Sequence, residues 1–178
     1  ERGAVQVAES RDAFEALLRF VRADAQSLQL HEVERSVFVR LLQLGLALLR
    51  VFLAQKGTGA VAAGRTANAE GAELPYHSTK PWTYLSIFGQ LSIARAYYWE
   101  EGAGVGWLPL DAELNLPDHR YSYLLQEWGC LLGTGRAYEQ VTKQLETLLR
   151  VKLWNQGAQV VMQGTAEDVQ GYYEQKPA

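Results

Sequence analysis

The feature that most constrains this chain is the apolar recurrence between residues 37 and 52. Val37, Leu41, Leu44, Leu48 and Val51 follow one another at alternating four- and three-residue steps, the spacing that brings side chains to one face of an α-helix. Phe38, Leu42, Leu49 and Phe52 form a neighbouring stripe. A helix from about Glu32 to Gln55 therefore has an apolar arc wider than one partner helix can cover. A preceding helix, Arg11 to Leu28 with Ser10 as N-cap and Phe14, Leu17, Leu18 and Val21 on one face, can cover one stripe. The other needs a different cover, either the hairpin that follows or a second copy of the chain, and Val37, Leu41, Leu44, Leu48 and Val51 are the residues expected to pair in a homodimer.

The most apolar part of that helix, Leu41 to Ala54, contains Gln43 and Arg50 and falls short of the roughly 20 residues that cross a bilayer. A soluble, cytoplasmic protein is expected. With 48% apolar residues, five Trp and nine Tyr, the chain can build a core. Its net charge of −3 excludes a surface that is basic all over but leaves room for a local basic face. Cys130 is the only cysteine, so no internal disulfide and no cysteine-based zinc site can form. His31, His77 and His119 are scattered, and no cofactor is expected in this chain.

Beyond Gly57 the periodicity stops, and residues 57–75 read as a flexible linker rich in Gly, Ala, Thr and Asn. From Tyr76 the pattern alternates. Trp82, Tyr84, Ser86 and Phe88 are followed, after Gly89-Gln90, by Leu91, Ile93, Arg95 and Tyr97. This reads as an antiparallel hairpin turning at Gly89-Gln90, with Tyr84 facing Arg95 and Trp82 facing Tyr97. Trp107 to Leu116 forms an apolar segment, and helices follow over Asp118 to Leu132, from Thr134 through Leu148, and from about Lys152 to Tyr173. The expected fold is mainly α with a small β-hairpin. Its parts are a helical pair (1–56), the linker (57–75), an aromatic hairpin with the apolar segment (76–116), and a helical region resembling a helix-turn-helix (117–178).

In a helix-turn-helix the second helix meets base edges, and the preceding one contacts phosphates. Lys152, Asn155, Gln156 and Gln159 open the last helix here, and Arg136, Lys143 and Arg150 lie on or beside the helix before it. Asn and Gln can bond adenine bidentately, and Lys can reach guanine or phosphate. An ordinary helical hairpin with a solvated polar face is the alternative. The cations Lys80 and Arg95 lie among Trp82, Tyr84 and Tyr97, a mixture that can stack bases or simply form an aromatic half-core. Asp111, Glu113 and Asp118 cluster without the spacing of a metal loop. Asp111 reads as the cap of a turn and Asp118 as the start of a helix. No nucleophile, base and orienter coincide, so no catalytic residue is assigned.

Two segments carry a resemblance. Phe88-Gly89-Gln90-Leu91-Ser92-Ile93-Ala94-Arg95 and Pro109-Leu110-Asp111-Ala112-Glu113-Leu114-Asn115-Leu116-Pro117, with Tyr121-Ser122 following, resemble the N-terminal region of Kra-type insertion-sequence transposases. The resemblance covers about Thr79 to Tyr173, and the first 75 residues share only helical character. Where the family more often shows His-Gly-Leu after the Ser, this chain has Tyr123-Leu124-Leu125. The resemblance implies the non-catalytic front end of a DDE-class transposase that recognises double-stranded DNA at the element ends. It further implies that divalent metal belongs to a catalytic domain absent from this chain. Either DNA recognition or dimerisation is a usual duty of such a region.

Overall fold

The computed structural model describes residues 2–102, 104–133 and 138–150. Among them are five α-helices and a three-stranded antiparallel sheet of order β1-β2-β3, a mixed architecture that is helical in the main. The chain divides into two compact units. The first comprises residues up to Thr83 together with Leu91–Asp118, and the second joins Tyr84–Gln90 to the described residues that follow Asp118.

The first unit begins with α1 (Arg2–Arg22), a 3₁₀ turn (Asp24–Ser27) and α2 (Leu30–Lys56). The helix α1 starts well before Ser10. That residue does not cap it: its hydroxyl donates back to the Val7 carbonyl at 2.9 Å, a bond a serine can make inside a helix. The start of α2 is fixed by the Gln29 backbone N–H, which donates to the Glu32 carboxylate at 2.9 Å, one half of a capping box. Gly57, with φ at +70°, closes it and donates to the Leu53 carbonyl. The two helices pack as a hairpin. Leu17, Phe20 and Ala47 are buried between them, and the Arg40 guanidinium lies 4.4 Å from the Phe20 ring centroid. By length and composition α2 could also cross a membrane, because as an unbroken helix it extends well beyond the Leu41–Ala54 run.

The segment expected to be a flexible linker is ordered by its own turn chemistry. Residues 65–67 form β1, paired antiparallel with the start of β2 (Glu73–Ser86) in the register Arg65↔Pro75, Thr66↔Leu74, Ala67↔Glu73. Asn68 builds the connection: its side-chain oxygen accepts from the Glu70 and Ala72 N–H groups at 3.0 and 2.8 Å, an Asx turn. Upstream, the Thr58 carbonyl accepts from the Ala96 N–H at 2.8 Å, and the Val61 N–H donates to the Tyr98 hydroxyl at 2.7 Å. Ala96 and Tyr98 belong to β3 (Gly89–Tyr98). With Leu74 they form a buried core against which Trp107 packs.

The β2–β3 reversal is at Ile87-Phe88, two residues earlier than Gly89-Gln90. The Ser86 hydroxyl accepts from the Phe88 N–H at 3.2 Å and donates to the Gly89 carbonyl at 2.9 Å. Gly89, with φ at +134°, begins the return strand in a conformation open to glycine. The expected cross-strand partners shift with the turn. Arg95 lies over Trp82 rather than Tyr84, 4.5 Å from the ring centroid, and Lys80 lies 3.2 Å from the Tyr97 centroid. His77 also meets Tyr97, edge to face at 5.8 Å. Side chains of a regular strand alternate between faces, so His77 and Lys80 reach one ring only if β2 contains a one-residue bulge between them.

In the second unit Leu85 pairs in parallel with Tyr121. Its N–H donates to the Arg120 carbonyl at 2.6 Å, and its carbonyl accepts from the Ser122 N–H at 2.9 Å. This pairing holds residues 119–122 out of a helix, so α4 (Tyr123–Gly133) begins five residues later than Asp118. Ser122 is its cap, accepting from the Leu125 N–H at 3.1 Å. The helix α4 packs on α5 (Tyr138–Leu149), with Leu125, Val141, Leu145 and Leu149 buried and Leu148 exposed.

Candidate functional site

The residues expected to dimerise are divided by the hairpin. Leu41 and Leu48 are 48% and 54% exposed, whereas Val37, Leu44 and Val51 are half-buried. The division follows from where α1 sits. Arg40 and Ala47 mark the side of α2 that meets α1, and residues 37, 44 and 51 flank that seam on a helical wheel. The side chains left open beside Leu41 and Leu48 are Phe38 and Phe52, 44% and 46% exposed. Sequence reasoning placed the two phenylalanines in a separate stripe. Only the position of α1 shows which apolar residues remain uncovered. Phe14, Leu18 and Val21 of α1 are exposed as well.

The segments that carry the family resemblance are bonded to each other. Arg95, from the FGQLSIAR segment, donates to the Asp111 carboxylate at 2.6 Å. Asp111 lies in α3 (Pro109–Leu114), the short helix formed by PLDAEL, and its role is to hold this ion pair. The side chains are 12% and 29% exposed. Neither Arg95 Nε nor the second Asp111 oxygen has a protein partner. Burial pushes the Asp111 carboxyl above its ordinary value, and the adjacent guanidinium, as charge and as donor, offsets only part of that rise. Glu113 bonds Lys56 at 2.6 Å, tying α3 to the end of α2. The carboxylates of Asp111 and Glu113 are thus each matched to a separate cation. Among the described residues no group of three or more potential ligands gathers for a metal.

Tyr97 sets the hydroxyl end of its ring against Gly106, where a Cβ would collide with it. Lys80 covers Tyr97, and His77 meets both Tyr97 and Trp99 edge to face. Lys80 and His77 are exposed, and the two rings are half-buried. The face is therefore partly a packed cluster and partly open to solvent.

Of the residues expected to contact DNA, Lys143 and Arg150 fall among those described. Lys143 is exposed on α5 and bonds Glu139 at 2.8 Å. This bond and the attraction behind it hold the Glu139 carboxyl below its ordinary value and raise the Lys143 ammonium. Arg150 is exposed at the end of α5 with φ at +54°. Beside them an open groove of about 380 Å³ is lined by Leu132, Lys143, Gln144, Thr147 and Leu148. Arg136, Lys152, Asn155, Gln156 and Gln159, and with them the second helix of the expected helix-turn-helix, lie outside the described residues. Elsewhere in this unit Tyr84 bonds Ser122, and burial raises its phenol above the ordinary value by more than that bond lowers it.

Comparison with protein-family models, curated proteins and solved structures finds no match to this chain.

Proposed function

We propose that the chain is the non-catalytic front region of a DNA transposase, and that the α1–α2 hairpin pairs two copies of it. The observation that carries the pairing is the open apolar stripe Phe38, Leu41, Leu48, Phe52, along the middle of a helix already packed on its other side. The transposase assignment rests on the resemblance of two sequence segments, and the Arg95–Asp111 bond between them is what a shared structural unit requires.

The same region also recognises double-stranded DNA at the element ends, in the cytoplasm and on the nucleoid. The exposure of Lys143 midway along α5 and of Arg150 just past its C-terminus supports this second part of the reading. A surface cation pair such as Lys143–Glu139 gives way readily to a phosphate. Lys152, Asn155, Gln156 and Gln159 would then supply base contacts, and Arg136 would join the phosphate contacts. The divalent metal and the chemistry of strand transfer belong to a catalytic domain outside this chain.

The test is fluorescence anisotropy of labelled duplexes, one from the element ends and one unrelated, titrated with the chain at low and moderate salt. Preferential binding to the ends that weakens steeply with salt is expected, because phosphate contacts release counterions. Lys143→Ala should weaken binding to both duplexes and reduce the salt dependence. Equal or absent binding to the two would overturn the recognition role and leave the pairing role standing.

A further inference from the structure

The open stripe on α2 reads nearly the same in both directions. About Gly45, Phe38 and Phe52 are equidistant along the helix, Leu41 and Leu48 are equidistant to within one residue, and Glu34 mirrors Lys56. We infer that two copies pair α2 against α2 antiparallel, about a two-fold axis that passes beside Gly45 at right angles to the helix. This rests on the pairing reading above and adds its geometry. Such an axis lays Phe on Phe, Leu on Leu, and Glu34 on Lys56 of the second copy. A two-fold interface must be self-complementary in this way. Lys56 bonds Glu113 through one of its three donors and has others to offer. At the axis, where the backbones come closest, stands the one residue of the stripe without a side chain.

The first helix adds to the same face. Leu18 and Val21 follow the buried Leu17 and Phe20 by one residue, just as Leu41 and Leu48 follow Arg40 and Ala47. In antiparallel helices one step past the seam turns both chains to the same side. The Phe20–Arg40 contact sets the level: five residues onward along α2 and five back along α1 bring Gly45 beside Glu15 and the exposed Phe14. The bulk of Phe14 accordingly complements the gap at Gly45. Two such hairpins face to face make a four-helix bundle.

The experiment is disulfide trapping in a Cys130→Ser background, with sedimentation of the unsubstituted chain alongside. In the antiparallel pair Phe38 lies opposite Phe52 of the other copy and about 21 Å from its own counterpart, at roughly 1.5 Å per residue. Co-expressed Phe38→Cys and Phe52→Cys chains should cross-link to each other, and neither should cross-link when expressed alone. Gly45→Cys, expressed alone, should cross-link to itself. A dimer that traps Phe38→Cys to itself, or that traps none of these pairs, overturns the orientation while leaving the pairing reading intact. A chain that sediments as a monomer overturns both. So does a monomer that floats with phosphatidylcholine–phosphatidylglycerol vesicles, which would assign the stripe to a lipid surface.

Discussion

Replacing Asp111 with Ala removes the acceptor from a guanidinium that is only 12% exposed. Breaking a buried ion pair from one side costs about 3–5 kcal/mol, because the remaining charge stays out of water without compensation. Two features lower the cost here. Arg95 keeps the face of Trp82, an interaction of about 1 kcal/mol, and the Asp111 side chain is 29% exposed, so water enters part of the vacated space. The expected loss is about 2 kcal/mol, or about 4–8 °C in the thermal midpoint of a chain of this size. It is read by urea and thermal unfolding of wild type, Asp111→Ala, Arg95→Met and the double variant. The double variant should lose less than the sum of the singles by about 1 kcal/mol, since both remove one interaction.

A pH series adds a signed check. Burial raises the folded-state value of Asp111 above its reference of 3.8. The increment of stability linked to its protonation is then fully present below that reference and is lost as pH rises through the folded value, whereas the bond of the ionised carboxylate to Arg95 persists above it. Asp111→Asn should abolish that part of the slope. A shift under about 0.5 kcal/mol for Asp111→Ala, the size of an ordinary surface change, or strict additivity in the double variant, would show that the pair does not hold the two segments together.

Gly106→Ala should dislodge Tyr97, because a methyl group has no room beside the hydroxyl end of the ring. A cost of about 1–3 kcal/mol is expected, with loss of near-ultraviolet circular dichroism from the Tyr97–His77–Trp99 cluster. Tyr98→Phe removes the acceptor of the Val61 N–H, so stability should fall by about 1 kcal/mol and hydrogen exchange at Val61 should accelerate.

The long elements were legible where a simple period governs them. The helix α2 was expected over Glu32 to Gln55 and spans Leu30–Lys56, since its apolar residues keep helical spacing throughout. What escaped was decided by single polar side chains. Ser86 draws the hairpin turn two residues back, Asn68 closes a β-hairpin inside a stretch without periodicity, and Ser122 displaces Asp118 as a cap. Each competes locally with the backbone in a way that composition averages out. The Arg95–Asp111 bond left a faint signal: each is the lone charge in an otherwise apolar stretch, Ile93 to Ala96 and Leu108 to Leu110 with Ala112. A charge so placed needs a counter-ion, but sequence spacing does not say which.

The strand-turn segment around Leu85 has a consequence for how the chain comes into being. Leu85, Ser86 and Ile87 are buried in a unit whose remaining residues begin only at His119. During synthesis at 5–20 residues per second this apolar tip therefore waits roughly 2–7 s for Tyr121 to follow it. Until then its edge is bare, and the unsatisfied N–H and C=O of Leu85 offer a template to any other extended strand. A fragment ending before His119 would keep that hazard permanently. Such a truncation should be prone to aggregate through the hairpin tip even with every residue of the first unit in place.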